Sequence, residues 1–277
     1  MTTMTGGVKR FLRRLAVASL LSLAAWAFAG AAPSPCGDPD EEVRGLIEKV
    51  VAAIVAEDPD AEARIRGIRG RGVADRMALL LQLAYYLRDA SSTEESMGGA
   101  ILVHRLELTA DETLDALLPC LDTREPRLHG VLGDLLSTID RPEGGEADFS
   151  FYERRLRRLK PNRLDSLILY MYEVAPAGAM ESMGRVYGGG GPESGSTSRH
   201  ARDLEALLAA HEGAAGWTDA DLGRAMNLRE RLSADPAWWK RLYSAVVLGS
   251  HPELRSPDTD DPLQVDPDPL VRAAMSR

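Results

Sequence analysis

Residues 109–139, TADETLDALLPCLDTREPRLHGVLGDLLSTI, carry the clearest fold signal in this 277-residue chain. Thr109 and Glu112 have the spacing of a capping box, in which each side chain satisfies a backbone N–H at the start of a helix. Leucines recur at helical spacing on both sides of a short connection, at Leu114, Leu117, Leu118 and Leu121 and then at Leu128, Leu132, Leu135 and Leu136. Because the connection is short, the stretch predicts two antiparallel helices that are neighbours in space.

The same helical periodicity runs along the chain from residue 40 onward, and the alternation typical of β-strands is hard to find. It predicts helices near 40–57, 74–88, 150–159, 163–174 and 177–187. Residues suited to helix capping are Asp40, Thr93, Ser198, Thr218, Asp235 and Asp268. Prolines follow two of them at the first helical position, where a missing N–H is tolerated. The whole pattern predicts an all-α protein.

The N-terminus has the features of a secretory signal. Four basic residues precede an uncharged apolar run over residues 15–29, and small residues follow it, so residues 1–32 are expected to be a cleaved signal peptide. The alternative is an uncleaved anchor, but the run is shorter than the roughly 20 residues that a membrane-spanning helix needs. The mature protein is therefore expected to be exported, either periplasmic or secreted, and to have no membrane span after signal cleavage.

Charge excludes some classes of partner. The chain has 33 basic and 42 acidic residues; without the four basic residues of the signal segment the balance is 29 against 42, a net charge of −13. A strongly acidic chain disfavours binding to nucleic acid, so no nucleic-acid partner is expected.

Two cysteines, Cys36 and Cys120, lie beyond the expected cleavage site. In an oxidising compartment they could form a disulfide, which would stabilise the fold by roughly 4–5 kcal/mol in the chain-entropy model. The alternative is that Cys120, on an apolar helix face, is a buried thiol that acts as a small hydrophobe. The sequence leaves both interpretations open.

Glycine-rich breaks divide the helical pattern. The break at residues 141–146 predicts an N-terminal helical subdomain over 33–140 and a C-terminal one over 141–277. A second break with four consecutive glycines predicts a flexible surface loop over residues 188–198.

One motif resembles a HEAT- or armadillo-type helical repeat. Residues 268–274, DPLVRAA, look like the turn and second-helix opening of such a unit, and similar turns occur in 58–64 (DPDAEAR), in 117–122 with 126–128 (LLPCLD and PRL), and in 235–240 (DPAWWK). The resemblance implies an irregular stack of antiparallel helix pairs, an α-α superhelix, that binds another protein along its surface. The turns begin near residues 58, 122, 235 and 266, which is not a constant period, so a compact irregular bundle stays open as the alternative.

Residues that would carry chemistry are sparse. The five histidines form no tight metal-ligand pattern, and neither a nucleophile elbow nor a phosphate loop occurs, so no catalytic residue, cofactor or metal is predicted. Acidic residues over 258–268 could gather around calcium, but they lack the closing glutamate of an EF-hand, and an acidic linker whose last aspartate caps a helix is the preferred interpretation.

The strongest candidate for a binding surface is basic. Residues with positive charge cluster at Arg154, Arg155, Arg157, Arg158 and Lys160, which form a possible partner-binding face. The leading hypothesis is an exported, non-catalytic binding or scaffolding module with an unknown protein partner. The alternative is a hydrolase-type enzyme on the same fold, with a carboxylate site formed from residues such as Glu107, Asp111 or Asp134.

Overall fold

The computed structural model describes residues 39–142, 145–159, 163–188, 194–211, 217–255 and 261–276. Within these ranges the regular structure is helical and contains no strand, which confirms the all-α prediction. The α-helices are α1 (Glu41–Val55), α2 (Ala61–Arg69), α3 (Val73–Asp89), α4 (Thr93–Arg105), α5 (Ala110–Leu117), α6 (Pro126–Asp140), α7 (Ser150–Arg158), α8 (Asp165–Val174), α9 (Pro176–Tyr187), α10 (Ser194–His211), α11 (Asp219–Ser233), α12 (Trp238–Ser250) and α13 (Pro269–Met275). Short 3₁₀ turns occupy Leu118–Cys120, Pro252–Leu254 and Pro262–Val265. None of these described helices has the length and apolar character required to span a membrane.

Most of the predicted helix caps are confirmed. Thr109 and Glu112 form the capping box at the start of α5, with both hydrogen bonds present. Asp40 caps α1, and Thr218 caps α11. At α4 the cap is Ser92, one residue before the predicted Thr93.

Two further cap predictions are wrong. Ser198 lies inside α10, which begins at Ser194. Asp235 does not cap α12, whose first residue is Trp238. Its carboxylate instead accepts a hydrogen bond of 2.9 Å from the N–H of Ala237, so it closes a turn just before the helix.

The first six helices share one apolar core. Helix α1 packs against α3 and α4, α2 packs against α1 and α4, and α3 also contacts α5 and α6. The α4 backbone approaches α1 closely, because a Cβ on Gly98 would lie 2.7 Å from Cγ1 of Val51. The residues of this core that are almost fully buried include Ile47, Leu80, Leu83, Leu102, Leu114, Leu117 and Leu132.

Helix α9 is central to the second half of the fold. It contacts α7, α8, α10 and α12, while α12 also packs against α11 and α13. Three fully buried tyrosines, Tyr152, Tyr172 and Tyr243, supply much of the core volume. The hydroxyl of Tyr172 donates to the carbonyl of Trp239 at 2.6 Å, which satisfies this polar group inside the apolar interior.

The described helices belong to one compact unit, Asp40–Arg277. The predicted subdomain boundary at residue 140 falls inside this unit, and the division into two subdomains stays a prediction. At that position the buried carboxylate of Asp140 accepts hydrogen bonds from the hydroxyls of Tyr170 at 2.7 Å and Tyr152 at 3.4 Å. These bonds join the end of α6 to α7 and α8.

Candidate binding groove

A groove of about 700 Å³ lies between the start of α6, one face of α8 and helix α13. Two of the repeat-like turns found in the sequence meet here, since the groove is lined both by the connection before α6 and by the first residues of α13. Its lining residues are Asp122, Thr123, Arg124, Pro126, His129, Asp165, Leu169, Glu173, Pro269, Leu270, Ala273 and Ser276. A cleft of this volume is in the range of sites that bind ligands or peptide segments.

Part of the groove lining is apolar. Leu169 of α8 and Leu270 of α13 are buried, and Pro126, Pro269 and Ala273 complete the apolar lining. Helix α13 begins at this lining, because the carboxylate of Asp268 accepts a hydrogen bond of 2.9 Å from the N–H of Leu270 and so caps the helix. Burial of an aliphatic side chain on such a surface contributes roughly 0.8 kcal/mol per methylene.

Acidic side chains outnumber basic ones around the apolar lining. Asp122, Asp165 and Glu173 line the groove, and Arg124 is the one arginine or lysine among its lining residues. Asp122 is oriented by a hydrogen bond of 2.6 Å from the hydroxyl of Ser166. The three carboxylates come from the connection before α6 and from both ends of α8, so they are distributed along the groove.

The charge around Asp165 is incompletely balanced. Partial burial raises the pKa of its carboxyl, and the negative charges of Asp268 and Asp122 raise it further. Arg163, whose Nε lies 3.3 Å from the Asp165 carboxylate, opposes this increase. A cation placed in the groove would lower the pKa of Asp165 and favour its ionised form.

His129 and Glu173 form a pair across the groove. Nε2 of His129 lies 2.9 Å from a carboxylate oxygen of Glu173, which joins α6 to α8. The second ring nitrogen, Nδ1, is buried and has no hydrogen-bond partner among the described residues. Because Nε2 faces Glu173 and Nδ1 is enclosed, neither nitrogen is presented to a ligand as an acid or a base. The geometry therefore favours a structural role for this histidine.

Arginine–aspartate pairs hold the C-terminal segment that forms one side of the groove. Arg229 and Asp261 are 2.8 Å apart and nearly fully buried, with 4% and 8% of their side chains exposed. Arg241 makes two hydrogen bonds with the carboxylate of Asp266, at 2.7 and 3.1 Å. Arg163 reaches Asp268 at 2.9 Å. These pairs fix α13 against the body of the protein.

The same pairs also explain the role of the described aspartates in the acidic run over 258–268. Asp261, Asp266 and Asp268 are neutralised by arginines, and Asp268 caps α13 as the sequence predicts. The prediction of a solvated linker is wrong for Asp261 and Asp266, which are buried. Residues 256–260 lie outside the described ranges. Across the described part of the chain, no three His, Cys, Asp or Glu residues are grouped as metal ligands.

The predicted basic face on α7 lies away from the groove. Arg154, Arg157 and Arg158 are exposed on one side of α7, and Arg157 donates to the carbonyl of Arg185 at 2.8 Å. Arg155 is only partly exposed, since it pairs with Asp115 and lies 3.7 Å from Asp111, both on α5. Lys160 lies outside the described residues.

The other predicted residues do not line the groove. Glu107 pairs with Arg69 at 2.9 Å, Asp111 lies near Arg155, and Asp134 is exposed on α6. Cys120 is fully buried at the end of a 3₁₀ turn. Cys36 lies outside the described residues, so the disulfide stays a prediction.

The residues that do line the groove gave little signal in the sequence. Asp122 and Ser166 are 44 positions apart, as are His129 and Glu173, so no local motif joins them. The repeat-like turns beginning at Asp122 and near Asp266 were the only signal that pointed to this part of the chain. Comparison with protein families, with curated proteins and with solved structures finds no significant match to the chain.

Proposed function

We propose that this chain is a non-catalytic binding module that holds a basic segment of a partner protein in the groove between α6, α8 and α13. The observation that carries the proposal is the combination of an apolar lining with three carboxylates and one arginine. Such a surface suits a peptide that alternates lysine or arginine with aliphatic residues. Complementary charge favours this class of partner over acidic ones and over nucleic acid.

The proposed architecture is an irregular α-α superhelix of HEAT-like helix pairs. It is supported by contacts that run largely between helices close in the chain, such as α1 with α3 and α4, and α12 with α11 and α13. Two repeat-like turns also lie side by side at the groove. Small-angle scattering tests this part: an elongated envelope supports the superhelix, and a spherical one supports a compact bundle.

Export is part of the same proposal. The basic and apolar pattern of residues 1–32 supports a cleaved signal peptide, and the expected location is periplasmic or secreted. Residues 1–38 lie outside the described ranges. Mass spectrometry of the exported protein provides the test, because a chain that still begins at Met1 would contradict cleavage.

The alternative function, a hydrolase-type enzyme, has less support in the groove. Both His129 nitrogens are enclosed or paired. The nearby hydroxyl of Ser166 donates to Asp122, and a serine activated as a nucleophile would instead donate to a general base such as histidine. We therefore favour binding.

Selection from a random peptide display library tests the proposed function. Peptides enriched on the wild-type protein are expected to contain lysine or arginine among aliphatic residues. Asp165→Lys is expected to weaken their affinity about tenfold or more, which corresponds to at least about 1.4 kcal/mol. The matched control is Asp203→Lys, which makes the same substitution at an exposed position of α10 outside the groove. Enrichment of acidic peptides, or equal binding by the two variants, would contradict the proposal.

A further inference from the structure

Three arginines of α7 carry positive charge that the described part of the chain does not neutralise. Arg154, Arg157 and Arg158 have the spacing of one helix face, and all three are exposed. Arg157 donates to a backbone carbonyl, and Arg154 lies over the ring of Phe151. Among the described residues none of the three arginines has an ion-pair partner. They form a positive patch on a chain whose net charge is −9.

An exposed aliphatic side chain lies at the C-terminal end of α7. Leu159, which follows the last residue of the helix, keeps 37% of its surface exposed, whereas Leu156 is fully buried in the core. We refer to Arg154, Arg157, Arg158 and Leu159 together as the α7 surface. It combines basic and aliphatic groups, which is the chemistry expected of a segment that occupies the groove.

The groove has the complementary composition. Its three carboxylates, Asp122, Asp165 and Glu173, equal the three arginines in number, and Leu169 and Leu270 belong to its apolar lining. An ionised carboxylate accepts hydrogen bonds from more than one donor, so partners within the chain do not prevent contact with a guanidinium. No residue of the α7 surface lines the groove of its own molecule. A pairing of the two surfaces therefore needs a second molecule.

We propose that the groove binds the α7 surface of a second copy of this chain. The inference rests on the proposed function, because it names the basic segment that the groove holds. The guanidiniums of Arg154, Arg157 and Arg158 pair with the carboxylates of the groove, and Leu159 lies on its apolar lining. Since each molecule carries both surfaces, the contact joins two different surfaces rather than one surface to itself.

Sedimentation velocity of the purified protein, from about 10 μM to about 1 mM, tests the proposal. At low salt the weight-average mass is expected to increase with protein concentration. Salt at about 1 M is expected to weaken the association, because it shortens the Debye length to about 3 Å. A selected basic peptide is expected to dissociate the assembly, since it occupies the same groove.

Charge reversal on each surface tests the two sides of the contact separately. Arg154→Glu combined with Arg158→Glu, and separately Asp165→Lys, are each expected to weaken self-association about tenfold or more. An equimolar mixture of the two variants is expected to associate again. The first variant keeps an intact groove, and the second keeps an intact α7 surface. Thermal unfolding checks that each variant is folded.

Matched controls place the same charges elsewhere. Arg224→Glu combined with Arg231→Glu makes the same change at exposed positions of α11, outside both surfaces. Asp203→Lys, at an exposed position of α10, is the control for Asp165→Lys. Both controls are expected to self-associate as the wild type does.

The inference and the proposed function fail in different ways. A protein that binds basic peptides through Asp165 but stays monomeric up to about 1 mM overturns this inference alone. The inference is also overturned if the two charge-reversed variants associate as tightly as the wild type, or if their mixture stays monomeric. The peptide selection detects failure of the proposed function, because without enrichment of basic peptides the groove does not hold a basic segment.

Discussion

The carboxylate of Asp140 accepts a hydrogen bond of 2.7 Å from the hydroxyl of Tyr170, and both residues are buried. Burial raises the pKa of Asp140 above its ordinary value, and the hydrogen bonds from the two tyrosines oppose that increase. This contact joins the end of α6 to α8, 30 residues along the chain. Together with the pair of His129 and Glu173, this contact holds α6 against α8.

Asp140→Asn tests how this carboxyl group affects stability. Because the pKa of Asp140 is raised in the folded state, its protonated form favours folding. The free energy of unfolding is then expected to fall as pH rises from the unfolded pKa, about 3.9, towards the higher folded pKa. Asparagine does not titrate, so the variant should show a smaller decrease over this window and be no less stable at pH 7. Urea unfolding at several pH values measures how the free energy of unfolding depends on pH. A variant with the same pH dependence as the wild type would contradict the role given to Asp140.

Alanine substitutions at Gly98 and Gly130 distinguish the effect of close helix packing on stability from the effect of helix propensity. Both lie within α-helices, but a Cβ on Gly98 would meet Val51 at 2.7 Å, while one on Gly130 would meet nothing within 4 Å. Gly98→Ala is expected to destabilise the protein by about 1–3 kcal/mol through overpacking of α4 on α1. Gly130→Ala, the matched control, is expected to stabilise it by about 0.5–1 kcal/mol. Thermal unfolding compares the stability of the two variants. Equal effects would show that α1 and α4 do not approach as closely as described.

The buried pair of Arg229 and Asp261 is expected to behave as a unit. Arg229→Met leaves the carboxylate of Asp261 buried without its partner, which is expected to destabilise the protein by about 3–5 kcal/mol. Arg229→Met combined with Asp261→Asn removes the uncompensated charge and should recover part of that loss. The double-mutant cycle is measured by urea denaturation. Additive effects of the two substitutions would mean that the pair is not coupled.

Binding in the groove is expected to depend on pH through Asp165. A basic peptide binds the ionised carboxylate, so affinity should be highest above the pKa of Asp165, which is raised, and decrease as pH falls through it. Asp165→Asn should lower the affinity at neutral pH and reduce its decrease on acidification. The measurement is fluorescence anisotropy of a selected basic peptide between pH 3.5 and 7, the range over which a raised aspartate pKa is sampled. Tighter binding on acidification would be incompatible with an acidic groove.

The helices were predictable because their signals are local. The leucine stripes and the capping box of residues 109–139 specify α5 and α6 through contacts within a few turns of the chain. The same reasoning failed at Asp235, because an aspartate before a proline suits both a helix cap and a turn. There the hydrogen bond to Ala237 closes a turn and delays α12 to Trp238.

The groove was not predictable, because its parts meet only in the folded chain. Asp165 belongs to no motif, and the repeat-like turn at Asp122 does not reveal its neighbours. Arg163, just before α8, pairs with Asp268 at the start of α13, 105 residues away. The basic cluster on α7, by contrast, was clear in the sequence, but not all of it forms one exposed face in the structure. Its composition suggested one binding face, but Arg155 contacts α5, so only part of the cluster is exposed.

A charge-swap experiment tests the central claim most directly. A basic peptide selected on the wild-type protein is titrated against Asp165→Lys, both as selected and with one of its lysines changed to glutamate in turn. If the groove holds the basic segment, one of the glutamate peptides will recover at least about tenfold in affinity for the variant while losing affinity for the wild type. If no glutamate peptide binds the variant better than the original peptide does, the segment does not lie beside Asp165, and the proposed binding site is wrong.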